Sequence, residues 1–271
     1  MRIGRQDGAF TAIAASDAES ITIRGHDLCS ELIGRIGFTD YFWLLVLGEK
    51  PTEKQVAVTN ACMVAIAEHG LVPSVQAARM TLAAAPEAWQ GAMSAGLLGM
   101  GTVVAGSSET AGRYIVDILA ASREPGSDLE KAARASLEEL KARRGKVPGL
   151  GHPQHSAGDP RADVLLQFAD ENGVSGDAVA CLRMLGKLAP EIMNRPLPIN
   201  VSGAIPALML DAGWPVEAMK GIPLLARAAG LVAHLYEESQ RSIGFIMSHK
   251  ADLAIAYDGE PAAAPKTNGH G

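Results

Sequence analysis

The chain has 271 residues, of which 48% are hydrophobic but only 4% aromatic, and a formal charge of −6 at neutral pH. That length supports one large core or two modest ones, and the scarcity of aromatics assigns the core to Ala, Leu, Ile, Val and Met, a mix that suits close packing of helices. The negative balance offers no basic surface for nucleic acid, so an anionic ligand would have to be met by local arginines.

In chain order, TAIAASDAESITIRG reads as a short hairpin or a loop with strand-like pieces, because Thr and Ile flank a turn-forming SDAES. DLCSELIGRI follows as a short amphipathic helix capped by Asp27, and TDYFWLLVLG as a helix ending on Gly48. Pro51 and Thr52 then open a long helix, TEKQVAVTNACMVAIAEHG, that stops at Gly70, and another apolar helix begins near Pro73 and Ser74. PEAWQGAMSAGLLGMGTVVAG reads as one helical stretch. Its Gly91, Gly96, Gly99, Gly101 and Gly106 let two helix backbones come close, which we assign to a helix buried at a subunit interface. SETAGRYIVDILAAS comes next, and SDLEKAARASLEELKARRGK is a solvated helix with Glu and Lys at four-residue spacing.

The segment VPGLGHPQHSAGDPRA, residues 147–162, interrupts the helices. Gly149 and Gly151 permit backbone angles closed to other residues, while Pro148, Pro153 and Pro160 stiffen the loop, which thus presents His152 and Arg161. Beyond it, RADVLLQFADENG, SGDAVACLRMLGKLAPEIM, PLPINVSGAIPALMLDAG and the long PVEAMKGIPLLARAAGLVAHLYEESQRSIGFIM are helical patterns. The tail, residues 259–271, has no apolar face, and we expect it to be disordered. Cys29, Cys62 and Cys181 are odd in number and far apart in apolar patterns, which suits small buried hydrophobes better than a disulfide or zinc framework. No stretch reaches the roughly 18 uninterrupted apolar residues of a membrane span, and no signal-peptide pattern opens the chain. The expectation is a cytoplasmic protein without nucleic-acid or membrane partners.

The segments ITIRGHDLCSELIGRIGFTDYFWLLVLGEKPTEKQ, VPGLGHPQHSAGDPRA, INVSGAI and LLARAAGLVAHLYEE, in that order, resemble the citrate synthase superfamily. The length, together with AIAEHGLVPS and SAGLLGMG, is more similar to its short branch, the citryl-CoA lyases and the matching module of ATP-citrate lyase. The resemblance runs from Thr11 to Ile246, and GxGHxxxxxxDPR is its most specific part.

That resemblance implies an all-α fold: a citrate synthase-like module over 1–258 with a large helical domain, a smaller subdomain around 150–220 and a short extended N-terminal segment. It also implies a homodimer or dimer-based oligomer that binds an acyl-CoA and a 2-oxo acid, and makes or breaks the carbon–carbon bond between acetyl-CoA and that acid. Such chemistry needs a base at the acetyl methyl carbon, donors for the thioester enolate oxygen, and a group that polarises the 2-oxo carbonyl. His69 matches the family histidine that donates to the enolate oxygen, and His152 the one that polarises the ketone or hydroxyl of the other half. Arg161 and Arg227 match arginines that bind substrate carboxylates, a task suited to a planar bidentate donor.

From the residues alone, His69 reads also as a helix-end group, Arg161 as a helix N-terminal residue paired with Asp159 or Asp163, and Arg227 as half of a structural ion pair. For coenzyme A the resemblance points to Lys146, Val147, Gly149, Leu150 and Gly151, the loop backbone holding the adenine while Arg143, Arg144 and Lys146 meet the phosphates. The same cations read equally as charges favoured at a helix C-terminus. No resident cofactor is implied, coenzyme A entering as substrate or product, and His155 lacks the carboxylate or cysteine pattern of a metal site.

Position 202 departs from the family pattern, which carries the catalytic aspartate where this chain has Ser202. Serine is no carboxylate base near neutral pH unless a neighbour activates it, and Asp211 is too far along the same predicted helix to replace it simply. A further family arginine has no clear match at 245–249, although Arg241 is close. The expected function is a citryl-CoA lyase-like activity, cleaving a 3-hydroxyacyl-CoA to acetyl-CoA and a 2-oxo acid such as oxaloacetate, or the reverse condensation. A CoA-thioester hydrolase, a lyase for another hydroxyacyl-CoA and a non-catalytic CoA-binding dimer are the alternatives.

Overall fold

The computed structural model describes residues 9–151 and 158–260; His152, His155 and the part of the tail from 261 onward lie outside them. Three short strands, β1 (Ala14–Ser16), β2 (Ile21–Ile23) and β3 (His26–Asp27), precede helices α1 (Phe38–Leu47), α2 (Glu53–Ala67), α3 (Pro73–Ala84), α4 (Trp89–Leu98), α5 (Gly106–Ser122) and α6 (Leu129–Ala142). Then come α7 (Pro160–Glu171), α8 (Asp177–Met193), α9 (Val201–Asp211), α10 (Gly221–Gln240) and α11 (Gly244–Ala254). The all-α architecture expected from the sequence is present, and no described helix is long and apolar enough to cross a membrane. The chain divides into two compact units, residues 1–69 with 100–230 and residues 70–99 with 231–271.

In the first unit the N-terminal segment forms the hairpin, an antiparallel β1-β2-β3 meander whose turn is tied by the Asp17 carboxylate accepting the amides of Glu19 and Ser20. DLCSELIGRI does not form the expected amphipathic helix. Asp27 does cap it, accepting the Ser30 amide at 2.7 Å, but the turn closes as a single π turn, Leu28–Leu32, and Gly34 at φ +73° leads the chain away. Cys29 on that turn is exposed, correcting the reading of three buried cysteines; Cys62 and Cys181 are buried, and burial pushes each thiol up to about 12. α1 ends on left-handed Gly48, and α2 opens with a full capping box between Thr52 and Gln55.

The core of this unit closes around α9, in which Val201 and every residue from Gly203 to Met209 is buried. Gly112 of α5 admits Pro206, Thr59 of α2 lies against Met209, and Thr59 accepts the Trp43 indole N–H at 2.8 Å. A helix enclosed on all sides must have its ends served by neighbours rather than by water. At its C-terminal end Asp211 accepts the amides of Gly176, Ala178 and Val179 at 2.7, 2.9 and 2.9 Å, capping α8, whose own N-cap is a glycine. Asp211 is thus committed to the fold. Asp211→Ala is expected to destabilise the protein by about 1–2 kcal/mol, read as a lower denaturant midpoint at unchanged slope.

The second unit packs α3, α4, residues 231–240 of α10, and α11 around Val75, Ala78, Leu82, Ala92, Leu231 and Leu235. Two sequence expectations are corrected here. The glycine-rich stretch is not one helix: α4 stops at Leu98, residues 99–105 turn, and α5 starts at Gly106. Gly96 serves packing within the chain, since a Cβ on it would lie 2.8 Å from a Leu231 methyl and 3.0 Å from the Ser74 carbonyl, whereas one on Gly101 would meet nothing within 4 Å. The final long apolar pattern also breaks, into a 3-10 turn at Val216–Ala218, α10 and α11. The break before α11 is held by Glu238, which accepts the amides of Ile243 and Gly244.

Candidate active site

The glycine-bracketed loop and the INVSG segment, about fifty residues apart in sequence, form one structure in the first unit. The Asn200 amide donates to the Gly149 carbonyl at 3.0 Å, the Gly151 amide to Pro198 at 2.7 Å, and the Asn200 side chain to the Gly151 carbonyl. Leu150 and Ile199 thereby pair as an antiparallel bridge. Gly149 and Gly151 hold φ of +80° and +75°. A Cβ on Gly203 would fall 2.5 Å from the Gly149 carbonyl oxygen, and one on Gly149 would fall 2.8 Å from the Gly203 Cα. Two glycines are therefore what lets the loop lie against the first turn of α9.

Asp159 performs the second attachment. Its buried carboxylate accepts the Val201 amide at 2.9 Å and binds the Arg161 guanidinium twice, through Nε and Nη2, both at 2.9 Å. It also caps α7, where Pro160 occupies the first turn. Burial pushes the Asp159 carboxyl up, but the hydrogen bonds from Arg161 and Val201, with the Arg161 charge, outweigh it and hold the group below its usual range. The pairing with Asp159 that the sequence offered as the alternative to a clamp is thus real, and among the described residues it uses two of the five guanidinium N–H groups. Asp163, the other candidate partner, is exposed on α7.

Arg227 lies in the middle of α10 with 3% of its surface exposed. Its Nη2 donates to the Ile66 carbonyl in the last turn of α2 at 3.1 Å, whereas Nε and Nη1 have no hydrogen-bond partner among the described residues. Burial lowers its pKa and the Arg161 charge acts in the same sense, with Glu68 opposing; the guanidinium nevertheless stays a cation. α10 can approach here because Gly230, three residues on, carries no Cβ to meet the Ala67 carbonyl. His69 sits half-buried two residues past the end of α2.

Ser202 occupies the first turn of α9, half-buried. Its hydroxyl lies 3.0 Å from that of Ser107 in the first turn of α5. Of the loop residues assigned to coenzyme A, Lys146 is exposed, Val147, Gly149 and Leu150 are buried and Gly151 is half-buried. Hydrogen bonds thus join Asp159, Arg161, the α9 N-terminus and the glycine loop, and charge couples Arg161 to Arg227 and Arg227 to Glu68 beside His69. His152 itself lies outside the described residues; Gly151 and Asp159, on either side of it, both bond the 198–201 segment. Among the described residues no three His, Cys, Asp or Glu gather as a metal site. Ser107 and the double role of Asp159 were not found from the sequence; the only local signal was an Asp directly before Pro160 and Arg161.

A model of the citrate synthase C-terminal domain matches residues 35–246. The 2-methylcitrate synthase of Mycobacterium tuberculosis is 25% identical over 211 residues, covering 75% of this chain and 50% of that protein; the chain thus spans half the length of that relative. Among solved structures, citryl-CoA lyase from Hydrogenobacter thermophilus superposes with a TM-score of 0.83 at 26% identity, covering 94% of this chain and 96% of that one. ATP citrate lyase from Methanothrix soehngenii, in complex with citrate and coenzyme A, superposes with a TM-score of 0.75 at 21% identity, covering 96% of this chain and 43% of that one.

Proposed function

Because the chain belongs to the citrate synthase family, we propose that it is a carbon–carbon lyase of the citryl-CoA type, cleaving a 3-hydroxyacyl-CoA into acetyl-CoA and a 2-oxo acid. The observation that carries this reading is Arg227: a buried cation with two nitrogens, Nε and Nη1, unpartnered among the described residues, electrostatically coupled to an arginine whose own orientation is fixed by Asp159. Leaving such donors unmet costs about 1–3 kcal/mol each, a cost that a ligand carboxylate would relieve. Likeness along almost the full length of a citryl-CoA lyase, rather than to half of a longer synthase, supports cleavage as the direction.

In this reading Arg161 and Arg227 hold substrate carboxylates, His152 takes the proton of the 3-hydroxyl, and His69 donates to the thioester oxygen as the carbon–carbon bond breaks. Coenzyme A lies along residues 146–151. Five backbone groups of that loop are already spent within the chain, the Val147, Gly149 and Gly151 carbonyls and the Leu150 and Gly151 amides, so its adenine is met by the remaining ones and its phosphates by Lys146. The working form is a cytoplasmic homodimer.

Purified protein is tested with citryl-CoA, citramalyl-CoA and malyl-CoA while acetyl-CoA and free CoA are both followed. Acetyl-CoA with an oxo acid is the expected product pair. Free CoA alone would make the protein a hydrolase, and CoA binding without any turnover would make it a binding module. Ser202→Asp is expected to raise the condensation rate by tenfold or more, within the range of about 10²–10⁴ that a positioned base supplies. No gain would show that more of the site than the base has diverged.

A further inference from the structure

The Ser202 and Ser107 hydroxyls lie 3.0 Å apart, and Ser107 Oγ lies 2.9 Å from the Val104 carbonyl oxygen. Each hydroxyl owns one proton, and a carbonyl oxygen only accepts. The proton shared with Val104 must therefore be that of Ser107, so the proton between the serines comes from Ser202. The chain runs one way, from Ser202 through Ser107 to Val104. Ser202 is left with no proton to offer and with a lone pair to spare.

Resting on the lyase reading above, we propose that Ser107 is a positioning residue which fixes Ser202 as a hydrogen-bond acceptor, so that Ser202 holds a water by one of its protons and that water's other proton goes to the carbon released on cleavage. The balance closes without an outside reagent. The carbon–carbon bond breaks with its electron pair entering the thioester enolate; the enolate carbon forms a C–H bond with a water proton; the resulting hydroxide recovers the proton lost by the substrate hydroxyl. Water is regenerated. A side-chain carboxylic acid at position 202 is not needed in this direction; the reverse direction must use the same water, as hydroxide, to abstract the acetyl-CoA proton, a scarcer base near neutral pH than a carboxylate would be.

The geometry also says why Ser107 acts through Ser202 and not by itself. Its proton is committed to the turn that precedes α5, and its remaining capacity is acceptance. Removing it would free the Ser202 hydroxyl to rotate and turn its proton toward the water, which could then no longer donate to it. A threonine keeps the hydroxyl and the same first-turn bond to the residue three back.

The test compares Ser107→Ala, Ser107→Thr, Ser202→Ala and the double alanine variant on a thioester that the unmodified protein cleaves. Ser107→Ala is expected to lower kcat about tenfold, equivalent to one lost hydrogen bond, with KM and melting temperature unchanged. Ser107→Thr is expected to restore kcat, and the double variant to match Ser202→Ala alone, since the two serines act as a unit. The solvent deuterium isotope effect on kcat should change in Ser107→Ala and not in Ser107→Thr. Multiplicative effects in the double variant, a change confined to KM or melting temperature, or failure of threonine to rescue would overturn the role of Ser107 while leaving the lyase reading in place. An unmodified protein that cleaves none of the three thioesters would overturn both.

Discussion

Arg227→Met is expected to lower kcat/KM for thioester cleavage by about 10²–10³-fold and at the same time to stabilise the protein by about 1–2 kcal/mol. The two signs are opposed because one feature causes both. A buried guanidinium with only Nη2 hydrogen-bonded among the described residues strains the free protein, and burial together with the Arg161 charge already disfavours its charged form. Methionine fills a similar volume without charge or unmet donors, so the folded state gains. The ligand carboxylate loses the donors that were kept open for it. Arg227→Lys would recover little, since a point charge cannot reproduce two N–H groups in a fixed plane. Melting curves with and without citrate make the check independent of turnover: citrate should raise the melting temperature of the unmodified protein and not that of the methionine variant. A methionine variant less stable than its parent would mean that Nε and Nη1 are satisfied in the free protein.

What the sequence made legible follows a physical line. Caps carried by the end residues themselves were readable: Asp27, Gly48 in its left-handed turn, and Thr52 as the start of α2. The break between α4 and α5 was not, because glycine spacing looks alike in a continuing helix and in one that stops; Gly99 ends against the backbone of Ser74, a contact no local pattern records. The break before α11 escaped for a similar reason, its amides being capped by a carboxylate from the preceding helix.

In the site, the residue types were readable and their partners were not. Asp159 and Arg161, two apart, looked like rival readings, ion pair against clamp; the structure shows the ion pair, and the clamp rests on the proposed function. Arg227 stood out as a charge in an apolar helix, but its carbonyl partner lies 161 residues away. Ser107 carries no mark in its own segment; it acquires meaning only when α5 packs along α9 and brings it to the altered position 202.

The largest stability effect lies in the second unit, whose buried core is small and is fastened by one carboxylate. Glu238 Oε2 accepts Arg79 Nε at 2.7 Å, and Oε1 accepts the Ser242 hydroxyl and the Ile243 and Gly244 amides at 2.7, 2.9 and 2.8 Å. Arg79, equally buried, also reaches Glu237 at 2.9 Å and the Arg241 carbonyl at 3.3 Å. α3, α10 and the start of α11 are thus joined at one point. Removing Glu238 leaves Arg79 Nε and two buried or half-buried amides unmet and takes away half of the buried charge compensation, so Glu238→Ala is expected to cost about 3–5 kcal/mol. Glu238→Gln separates charge from shape, because it keeps one accepting oxygen and loses the ion pair.

The pH dependence has a definite sign. Burial pushes the Glu238 carboxyl up, yet the bonds from Ser242, Arg79, Gly244 and Ile243 outweigh it and hold the folded-state value below the ordinary one. A depressed carboxyl contributes stability that is complete above its unfolded value, near pH 4.5, and is lost as pH falls through the folded value. The unmodified protein should therefore lose stability below that pH, and Glu238→Gln should lose less over the same range, the remaining slope coming from the other carboxyls depressed in the same sense, Asp159 and Glu237 among them. Amide hydrogen exchange locates the effect. In the glutamine variant, exchange should accelerate first in α3 and α11 while α9, enclosed by the core of the other unit, stays protected. Equal acceleration in α9 would show that the Glu238 cluster supports the whole chain and not the unit that contains it.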